Sequence, residues 1–118
     1  NLSINCDADQ ISRTFFNLIK NSVESINEKI EKSGNFTKII DMEILEKNDY
    51  ITIIITDNGT GFSTDIIKNI TKPYFTTKTK GSGLGLSIVN KIINDHNGTI
   101  EFSSDNNGAK VKINLPKN

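Results

Sequence analysis

Four polar residues near the start of the chain recur at helical spacing, in a segment whose apolar residues also recur at helical spacing. Asn17, Lys20, Asn21 and Glu24 stand at i, i+3, i+4 and i+7, so on a helix they share a stripe roughly 100° wide. We expect this stripe to lie opposite the apolar face. An ordinary solvated surface is one interpretation, although Asn is a mediocre helix former for that purpose. A ligand across the stripe is the other, since Asn oxygens suit a hard cation such as Mg²⁺ and Lys suits a phosphate.

A second candidate site stands at the end of a β-branched segment. Asp57 ends that segment, and Gly59 and Gly61 follow it within the sequence D-N-G-T-G. A carboxylate accepts hydrogen bonds and could hold an exocyclic amino group, while glycines place no Cβ in the way of a ligand. A plain turn is the alternative interpretation, because Asp-Asn and Asn-Gly are turn signals in any protein.

A third candidate site is the glycine-rich range 81–86, with the sequence G-S-G-L-G-L. A glycine-rich turn that opens a helix can hold a phosphate, because free backbone N–H groups and the helix dipole both face the anion. Lys72, Lys78 and Lys80 precede it and add positive charge. Its G-x-G-x-G spacing differs from the dinucleotide fingerprint, and the P-loop and protein-kinase signatures are absent. A flexible hinge is the alternative interpretation.

Hydrophobic patterning predicts the elements that carry these sequences. A helix begins after a cap at Asp7 or Asp9 and runs to about Lys32. Its apolar face comprises Ile11, Phe15, Leu18, Ile19, Val23, Ile26 and Ile30. The segments Thr37–Leu45 and Tyr50–Thr56 predict an antiparallel strand pair, and the second strand is expected to be central because it is apolar on both faces.

The remaining elements complete one domain. They are a short strand at Leu2–Asn5, a short helix at about Thr64–Ile70, a long mobile loop at Thr71–Gly83, a helix at Leu84–His96, and a closing hairpin of Thr99–Ser103 and Ala109–Leu115. Gly98 is predicted to be the left-handed cap of the second long helix, because it follows Asn97 near the end of the pattern.

Composition narrows the class of protein. A length of 118 residues suits one domain at 1–118. The 14 Lys+Arg and 14 Asp+Glu residues balance, which argues against binding to nucleic acid or an anionic membrane by charge alone. One Cys and one His exclude an internal disulfide, a multi-Cys zinc site and a His-rich metal centre. No apolar run approaches the ~20 residues that span a bilayer. Because the chain starts at Asn1 rather than Met, we expect a fragment of a longer protein or a processed product.

The order and spacing of the three candidate sites resemble the nucleotide-binding domain of bacterial sensor histidine kinases. This is the ATP-binding fold shared with gyrase, the large heat-shock chaperones and mismatch-repair ATPases. The matching sequences are Asn17–Ser25 (N box), Asp57–Gly61 (G1 box), Pro73–Lys78 (F box of the ATP lid), 81–86 (G2 box), 96–100 (the H-G-G turn) and Gly108–Pro116 (the closing strand). The lid sequence P-Y-F-T-T-K is most similar to the nitrogen-regulation branch of these kinases.

The resemblance implies a fold and four catalytic N-box residues. The fold is an α/β (α+β) two-layer sandwich, in which about three helices cover one face of a mixed, mostly antiparallel five-stranded sheet, with a long ATP lid. Asn21 would bind Mg²⁺ through its oxygen, and Lys20 would reach a phosphate. Asn17 stands where relatives carry a catalytic Glu or a second polar group. Glu24 would lie beside the ribose or the water shell of the metal.

The resemblance also implies the contacts of the base. Asp57 would accept the adenine N6 amino group, and Gly59 and Gly61 would leave room for the ring. Ala109 stands where relatives carry a Thr that helps hold the adenine through water. This difference predicts a lower nucleotide affinity or a rearranged site. Ser22, where relatives carry Ala, is a milder difference.

The lid and the G2 box would hold the phosphates. Phe75 would anchor the lid, and Lys78 would approach the terminal phosphates. The main-chain N–H groups of 82–85 would bind phosphate oxygens. The full set of implied ATP contacts in this part of the chain is Phe75, Thr76, Thr77, Lys78, Gly81, Ser82, Gly83, Leu84, Gly85 and Leu86.

The function implied by the resemblance is transfer of the γ-phosphoryl group of Mg-ATP to a histidine on a separate dimerisation domain, as the first step of two-component signalling. A response regulator would act downstream, and nucleic acid is not an expected partner. We expect a monomeric isolated domain in the cytoplasm, belonging to a homodimeric protein that the bacterial inner membrane can anchor. His96 and Cys6 are expected to be structural, so the domain would not autophosphorylate alone.

Two other functions stay open at this point. One is a serine kinase of the same fold that phosphorylates an anti-anti-sigma partner, although the lid sequence argues against it. The other is a non-catalytic nucleotide-binding module that regulates partners through its lid. A clamp of the gyrase type fits less well, because Asn17 stands where those enzymes need a Glu to activate water.

Overall fold

A computed structural model describes residues 6–61, 85–105 and 107–117 of the chain. This part of the chain contains two helices and four strands. They are α1 (Ala8–Ser33), β1 (Ile40–Glu46), β2 (Tyr50–Asp57), α2 (Gly85–Asp95), β3 (Thr99–Asp105) and β4 (Gly108–Pro116). The two-layer α+β architecture is therefore as predicted. Neither described helix is long and apolar enough to cross a membrane.

The sheet has the strand order β1-β2-β4-β3, and every neighbouring pair is antiparallel. The prediction that β2 is central is confirmed. The prediction of five strands, a mixed sheet and three helices is corrected for the described residues to four antiparallel strands and two helices. The expected strand 2–5, the short helix 64–70 and the loop 71–83 lie outside those residues.

The core lies between one face of the sheet and the two helices. Alternate residues of β2 and β4 point to this face, as period-2 strands require. The largest buried cluster consists of Leu18, Ile51, Ile53, Ile55, Val89, Ile93, Val111, Ile113 and Leu115. Burial of these side chains stabilises the fold by roughly 1.5–3 kcal/mol for each large aliphatic group.

Helix α1 begins and ends as its flanking residues dictate. The Asp7 carboxylate accepts the N–H of Gln10 at 3.1 Å, so Asp7 rather than Asp9 is the N-cap. Gly34 ends the helix with φ of 86°, and its N–H donates to the carbonyl of Ile30 at 2.9 Å.

Most of the predicted apolar face of α1 is confirmed, since Leu18 and Ile26 are buried and Ile11, Phe15 and Ile19 pack against the core cluster. The fully buried row also includes small polar residues, because it consists of Thr14, Leu18, Ser22 and Ile26, one residue per turn. Val23, placed on the apolar face by its type, is 44% exposed. The row includes the small polar residues Thr14 and Ser22 because it packs closely against the sheet and α2. The Thr14 hydroxyl is satisfied locally, by donating to the carbonyl of Gln10 at 3.1 Å.

Helix α2 ends in a hydrogen-bonded Schellman turn. Asn97, not Gly98, has the left-handed conformation, with φ of 62°. The N–H of Asn97 donates to the carbonyl of Asn94 at 3.0 Å, and the N–H of Gly98 donates to the carbonyl of Ile93 at 2.9 Å. The prediction that Gly98 is the left-handed residue was wrong. Gly98 is needed for another reason, since a Cβ there would strike the carbonyl oxygen of Asn114 and approach Leu115 Cδ2 to 2.9 Å.

We predict that Gly98→Ala lowers the free energy of unfolding by about 2–3 kcal/mol, because the added methyl overpacks the contact between α2 and β4. The measurement is urea unfolding at equilibrium. Gly34→Ala is the matched control: Gly34 has positive φ, but no atom lies within 4 Å of the point that an added methyl would occupy, so the loss there should reflect strain alone, about 1 kcal/mol. An equal or smaller loss for Gly98→Ala would contradict the prediction.

Candidate functional site

The carboxylate of Asp57 lies at the end of β2, where the helix-facing row of that strand finishes. Asp57 continues the alternation of Ile51, Ile53 and Ile55, so it belongs to the face of the sheet that the helices cover. Thr56 pairs with Lys110 of β4, which makes Ala109 the next position opposite Asp57 on that same face. The structure therefore brings together the two predicted base contacts Asp57 and Ala109, and Ala109 is buried.

The turn after Asp57 is packed against the backbone of α1. A Cβ on Gly59 would strike the hydroxyl of Ser25 and come within 2.7 Å of the Ser25 carbonyl carbon and 2.8 Å of the Ile26 nitrogen. The Ser25 hydroxyl accepts the N–H of Thr60 at 3.0 Å and lies 3.1 Å from the Thr60 hydroxyl. The space beside Gly59 is therefore filled by the helix, whereas the resemblance implied room for a ring.

The other glycines of the site lie where backbones meet. Gly61 has φ of 75°, and a Cβ there would be 3.1 Å from the carbonyl oxygen of Gly108. Gly108, with φ of 143°, lies against the carbonyl of Asp57, where any Cβ would clash. The D-x-G-x-G sequence therefore closes a compact junction between β2, β4 and α1.

Asn17 and Asn21 flank the buried row of α1, whereas Lys20 lies opposite it, so the predicted orientation is corrected for the two Asn residues and holds for Lys20. Asn17, Asn21 and Glu24 are half-buried and Lys20 is exposed. Asn17, Asn21 and Ser25 stand four residues apart on one row of the helix, and Ser25 contacts the turn after Asp57. The side of α1 that carries the two Asn side chains therefore runs toward the strand end.

A cleft of about 430 Å³ opens at this end of the sheet. Its described lining includes the predicted residues Asp57 and Ala109, but none of the N-box residues. The lining residues are Ile39, Asp41, Thr56, Asp57, Asn58, Ser103, Ser104, Asn107, Gly108, Ala109 and Lys110. Within residues 6–61, 85–105 and 107–117 there is no group of three or more His, Cys, Asp or Glu side chains that could hold a metal ion.

The predicted lid contacts fall mostly outside the described residues. These are Phe75, Thr76, Thr77, Lys78, Gly81, Ser82, Gly83 and Leu84. Gly85 is the first residue of α2. Leu86, expected beside the phosphates, is half-buried and packs against the core cluster.

The ring of His96 joins the two helices. Its Nδ1 lies 2.8 Å from the carbonyl oxygen of Ile92, and its Nε2 accepts the N–H of Asp7 at 3.0 Å. His96 thus ties the end of α2 to the start of α1, as its predicted structural role requires. Cys6 was expected to be a packing residue, but it is exposed, because it precedes the cap of α1 and has no core beneath it.

Three residues of this site were missed by sequence reasoning. Asn58 and Lys29 bind one another across the turn, and Ser25 holds Thr60. Asn58 was interpreted as part of a turn signal and of the G1 box, with no contact of its own. Ser25 carried a faint signal, since it lies four residues after Asn21 on the same helical row, but nothing local marked Lys29.

Comparison with known protein families gives the class to which this two-layer fold belongs. The model of the family of histidine kinase-, DNA gyrase B- and HSP90-like ATPases matches residues 6–118. The chain belongs to this family. Within the family it is a domain of the sensor histidine kinase kind, which confirms the resemblance seen in the sequence.

Sensor histidine kinases are among the proteins most similar to this chain in sequence. An NtrY-like sensor histidine kinase of Rickettsia conorii is 40% identical over 109 residues, which are 92% of this chain and 17% of that protein. The sensory histidine kinase/phosphatase NtrB of Rhizobium leguminosarum is 32% identical over 122 residues, which cover 97% of this chain and 32% of that protein. The chain therefore spans less than a third of the length of these relatives.

Solved structures share the fold. The nucleotide-free catalytic domain of histidine kinase ThkA is 29% identical, with a TM-score of 0.81 over 97% of this chain and 70% of that one. A mycobacterial sensor histidine kinase, MprB, has a TM-score of 0.80 at 20% identity, covering 96% of this chain and 74% of that one, and supports the fold alone.

We predict that Gly59→Ala lowers the free energy of unfolding by about 1–3 kcal/mol and weakens nucleotide binding, because the turn must move away from α1. Urea unfolding and a nucleotide titration measure the two effects. The double variant Ser25→Ala/Gly59→Ala should not recover, since the Ser25 and Ile26 backbone atoms still lie in the way. Full recovery in the double variant would show that only the Ser25 hydroxyl opposes the methyl.

Proposed function

We propose that the chain binds Mg-ATP and donates its γ-phosphoryl group to a histidine on a separate dimerisation domain. The observation that carries this proposal is the position of Asp57. A carboxylate at the end of a buried apolar row serves no packing purpose, and the turn that follows it contacts Ser25, on the same helical row as Asn17 and Asn21. An acceptor at that point suits the exocyclic amino group of adenine.

The residues present fit a nucleotide with its metal. The Asn21 amide oxygen suits Mg²⁺, and exposed Lys20 on the same side of α1 suits a phosphate. The metal would neutralise phosphate charge, the main requirement of phosphoryl transfer. Buried Ala109 offers no hydroxyl to a water beside the base, so we expect weaker adenine binding than in relatives with Thr. Asn17, Glu24 and the lid residues complete the proposed site.

The acceptor of the phosphoryl group lies outside these 118 residues. Transfer breaks the bond between the γ-phosphorus and its bridging oxygen, forms a P–N bond to the acceptor imidazole and releases ADP. The sole His of the chain is His96, and both of its ring nitrogens are engaged with backbone groups. We therefore propose a His-bearing dimerisation domain and a downstream response regulator as partners, in a homodimer that a membrane anchors and whose catalytic domain faces the cytoplasm.

We predict that Asp57→Asn removes most of the thermal stabilisation by Mg-ATP and lowers affinity about 10–100-fold, as expected for loss of a charged hydrogen-bond acceptor. The fold should persist, because an Asn oxygen can still accept the N–H of Gly59, which lies 2.9 Å from the present carboxylate. Melting curves with and without Mg-ATP measure this effect. Asp95→Asn, which removes only an exposed ion pair with Lys91, is the matched control. Unchanged stabilisation in Asp57→Asn would contradict the site.

We predict that the chain incubated with γ-labelled ATP stays unlabelled, and that label appears on a His-bearing helical domain added in trans. Autoradiography with acid- and base-lability tests measures the product. Label on this chain alone would overturn the proposal. Phosphoserine on a small partner would favour the anti-sigma type of kinase, and tight ATP binding without transfer to any His domain would favour a regulatory module.

A further inference from the structure

Asn58 binds the segment that connects α1 to β1 through three hydrogen bonds. Its backbone N–H donates to the carbonyl of Ile39 at 3.2 Å. Its side-chain oxygen accepts the N–H of Ile39 at 3.0 Å, and its side-chain amide donates to the carbonyl of Thr37 at 2.6 Å. Both halves of this side-chain amide are therefore occupied by backbone groups 19 to 21 residues earlier in the chain.

In the β1–β2 ladder, the side-chain oxygen of Asn58 takes the place of the Asn58 backbone carbonyl as the acceptor of a hydrogen bond. A hydrogen-bonded antiparallel pair exchanges two N–H to carbonyl bonds between the same two residues. Ile39 and Asn58 make one of them in the ordinary way, but the N–H of Ile39 goes to the Asn58 side chain. This exchange of acceptors explains why β1 begins at Ile40, whereas the sequence pattern predicted a strand that begins at Thr37.

The backbone carbonyl released from the ladder is bound by α1. Lys29 donates from Nζ to the Asn58 carbonyl oxygen at 3.0 Å. The same ammonium lies 4.9 Å from the centre of the Phe36 ring, a cation–π distance that helps to hold it in place. Asn58 is thus held by the sheet on one side and by the helix on the other.

The peptide between Asn58 and Gly59 transmits this constraint to Asp57. The peptide group is planar, so its C=O and N–H have a fixed relation. Lys29 binds its carbonyl, and its N–H, on Gly59, donates to Asp57 Oδ1 at 2.9 Å. The orientation of one peptide plane therefore sets the position of the carboxylate. Because the Gly59 N–H engages Oδ1, we assign the contact with a ligand to Oδ2.

We propose that Asn58 is a positioning residue that fixes the Asp57 carboxylate for recognition of an exocyclic amino group on a purine base. Its side chain accepts the ladder hydrogen bond from Ile39, which leaves its backbone carbonyl to Lys29. Lys29 and the Gly59 N–H then orient the carboxylate together. This inference rests on the proposed function, because it assumes that Asp57 meets the base. It assigns purine discrimination partly to a side chain that acts through its hydrogen bonds to the protein's own backbone.

The test compares two nucleotides that differ only in the group that Asp57 would bind. The dissociation constants of ATP and of purine riboside triphosphate, which lacks the 6-amino group, are measured by calorimetry in the presence of Mg²⁺. The wild-type chain should prefer ATP by roughly 10-fold or more, since a site built around a hydrogen bond rejects an analogue that lacks it. In Asn58→Ala this preference should fall to about 3-fold or less, because Asp57 is no longer held in one orientation.

A matched control separates orientation from general loosening of β2. Thr52 is buried in the same strand, away from the turn, and its hydroxyl donates to the side-chain oxygen of Asn114 at 2.7 Å. Thr52→Val removes that bond at nearly constant shape and should keep the wild-type preference, even where its melting temperature falls as far as that of Asn58→Ala. An equal loss of preference in Thr52→Val would mean that Asn58 is merely structural.

A second variant covers the case in which Asn58→Ala does not fold. Lys29→Met keeps an unbranched side chain beside Phe36 and removes the bond to the Asn58 carbonyl together with the cation–π contact, so it should lower the preference by an intermediate factor. Wild-type preference in whichever of the two variants folds would overturn the inference and leave the proposed function standing. Absence of any preference in the wild-type chain would instead refute the proposed contact between Asp57 and the base.

Discussion

The close approach of Gly59 to the backbone of α1 determines where the candidate site lies. The core holds β2 under the helices as far as Ile55, but a strand that has ended would ordinarily turn toward solvent. Here the chain stays against α1 because Gly59 has no Cβ and because the Ser25 hydroxyl binds Thr60. The last residue of the strand, Asp57, is consequently kept on the helix-covered side of the sheet, toward which the row of Asn17 and Asn21 runs.

Local patterning predicts the elements well and their buried faces less well. The caps of α1, the central position of β2 and the closing hairpin all follow from residue types within a few positions of one another. Val23 shows where this reasoning fails, since it is apolar and yet exposed, while Thr14 and Ser22 are buried. Close packing of α1 against its neighbours favours small side chains on the contact row. A hydrophobic pattern carries no information on the distance between the helix and those neighbours.

The sequence predicted those residues of the site that belong to recognisable motifs. Asp57 and Ala109 were identified as base contacts through the resemblance to sensor histidine kinases, and the pairing of β2 with β4 brings them together. Ser25, Lys29 and Asn58 were missed because their contacts join residues 19 to 35 positions apart, which depend on the tertiary fold. The dipeptide Asn58-Gly59 also concealed its role, since it has the composition of an ordinary turn, while the Asn58 amide completes the β1–β2 ladder.

The glycines and the carboxylate of the D-x-G-x-G sequence carry different kinds of information about function. Gly59 and Gly108 are required by backbone contacts within the domain, so they would be retained in a relative that had lost its ligand. Apolar packing does not explain Asp57, because a β-branched apolar residue would continue the row of Ile51, Ile53 and Ile55, although it would leave the N–H of Gly59 without its present acceptor. Nucleotide binding is therefore supported by Asp57 and by half-buried Asn residues at positions where a surface helix would favour Lys or Glu.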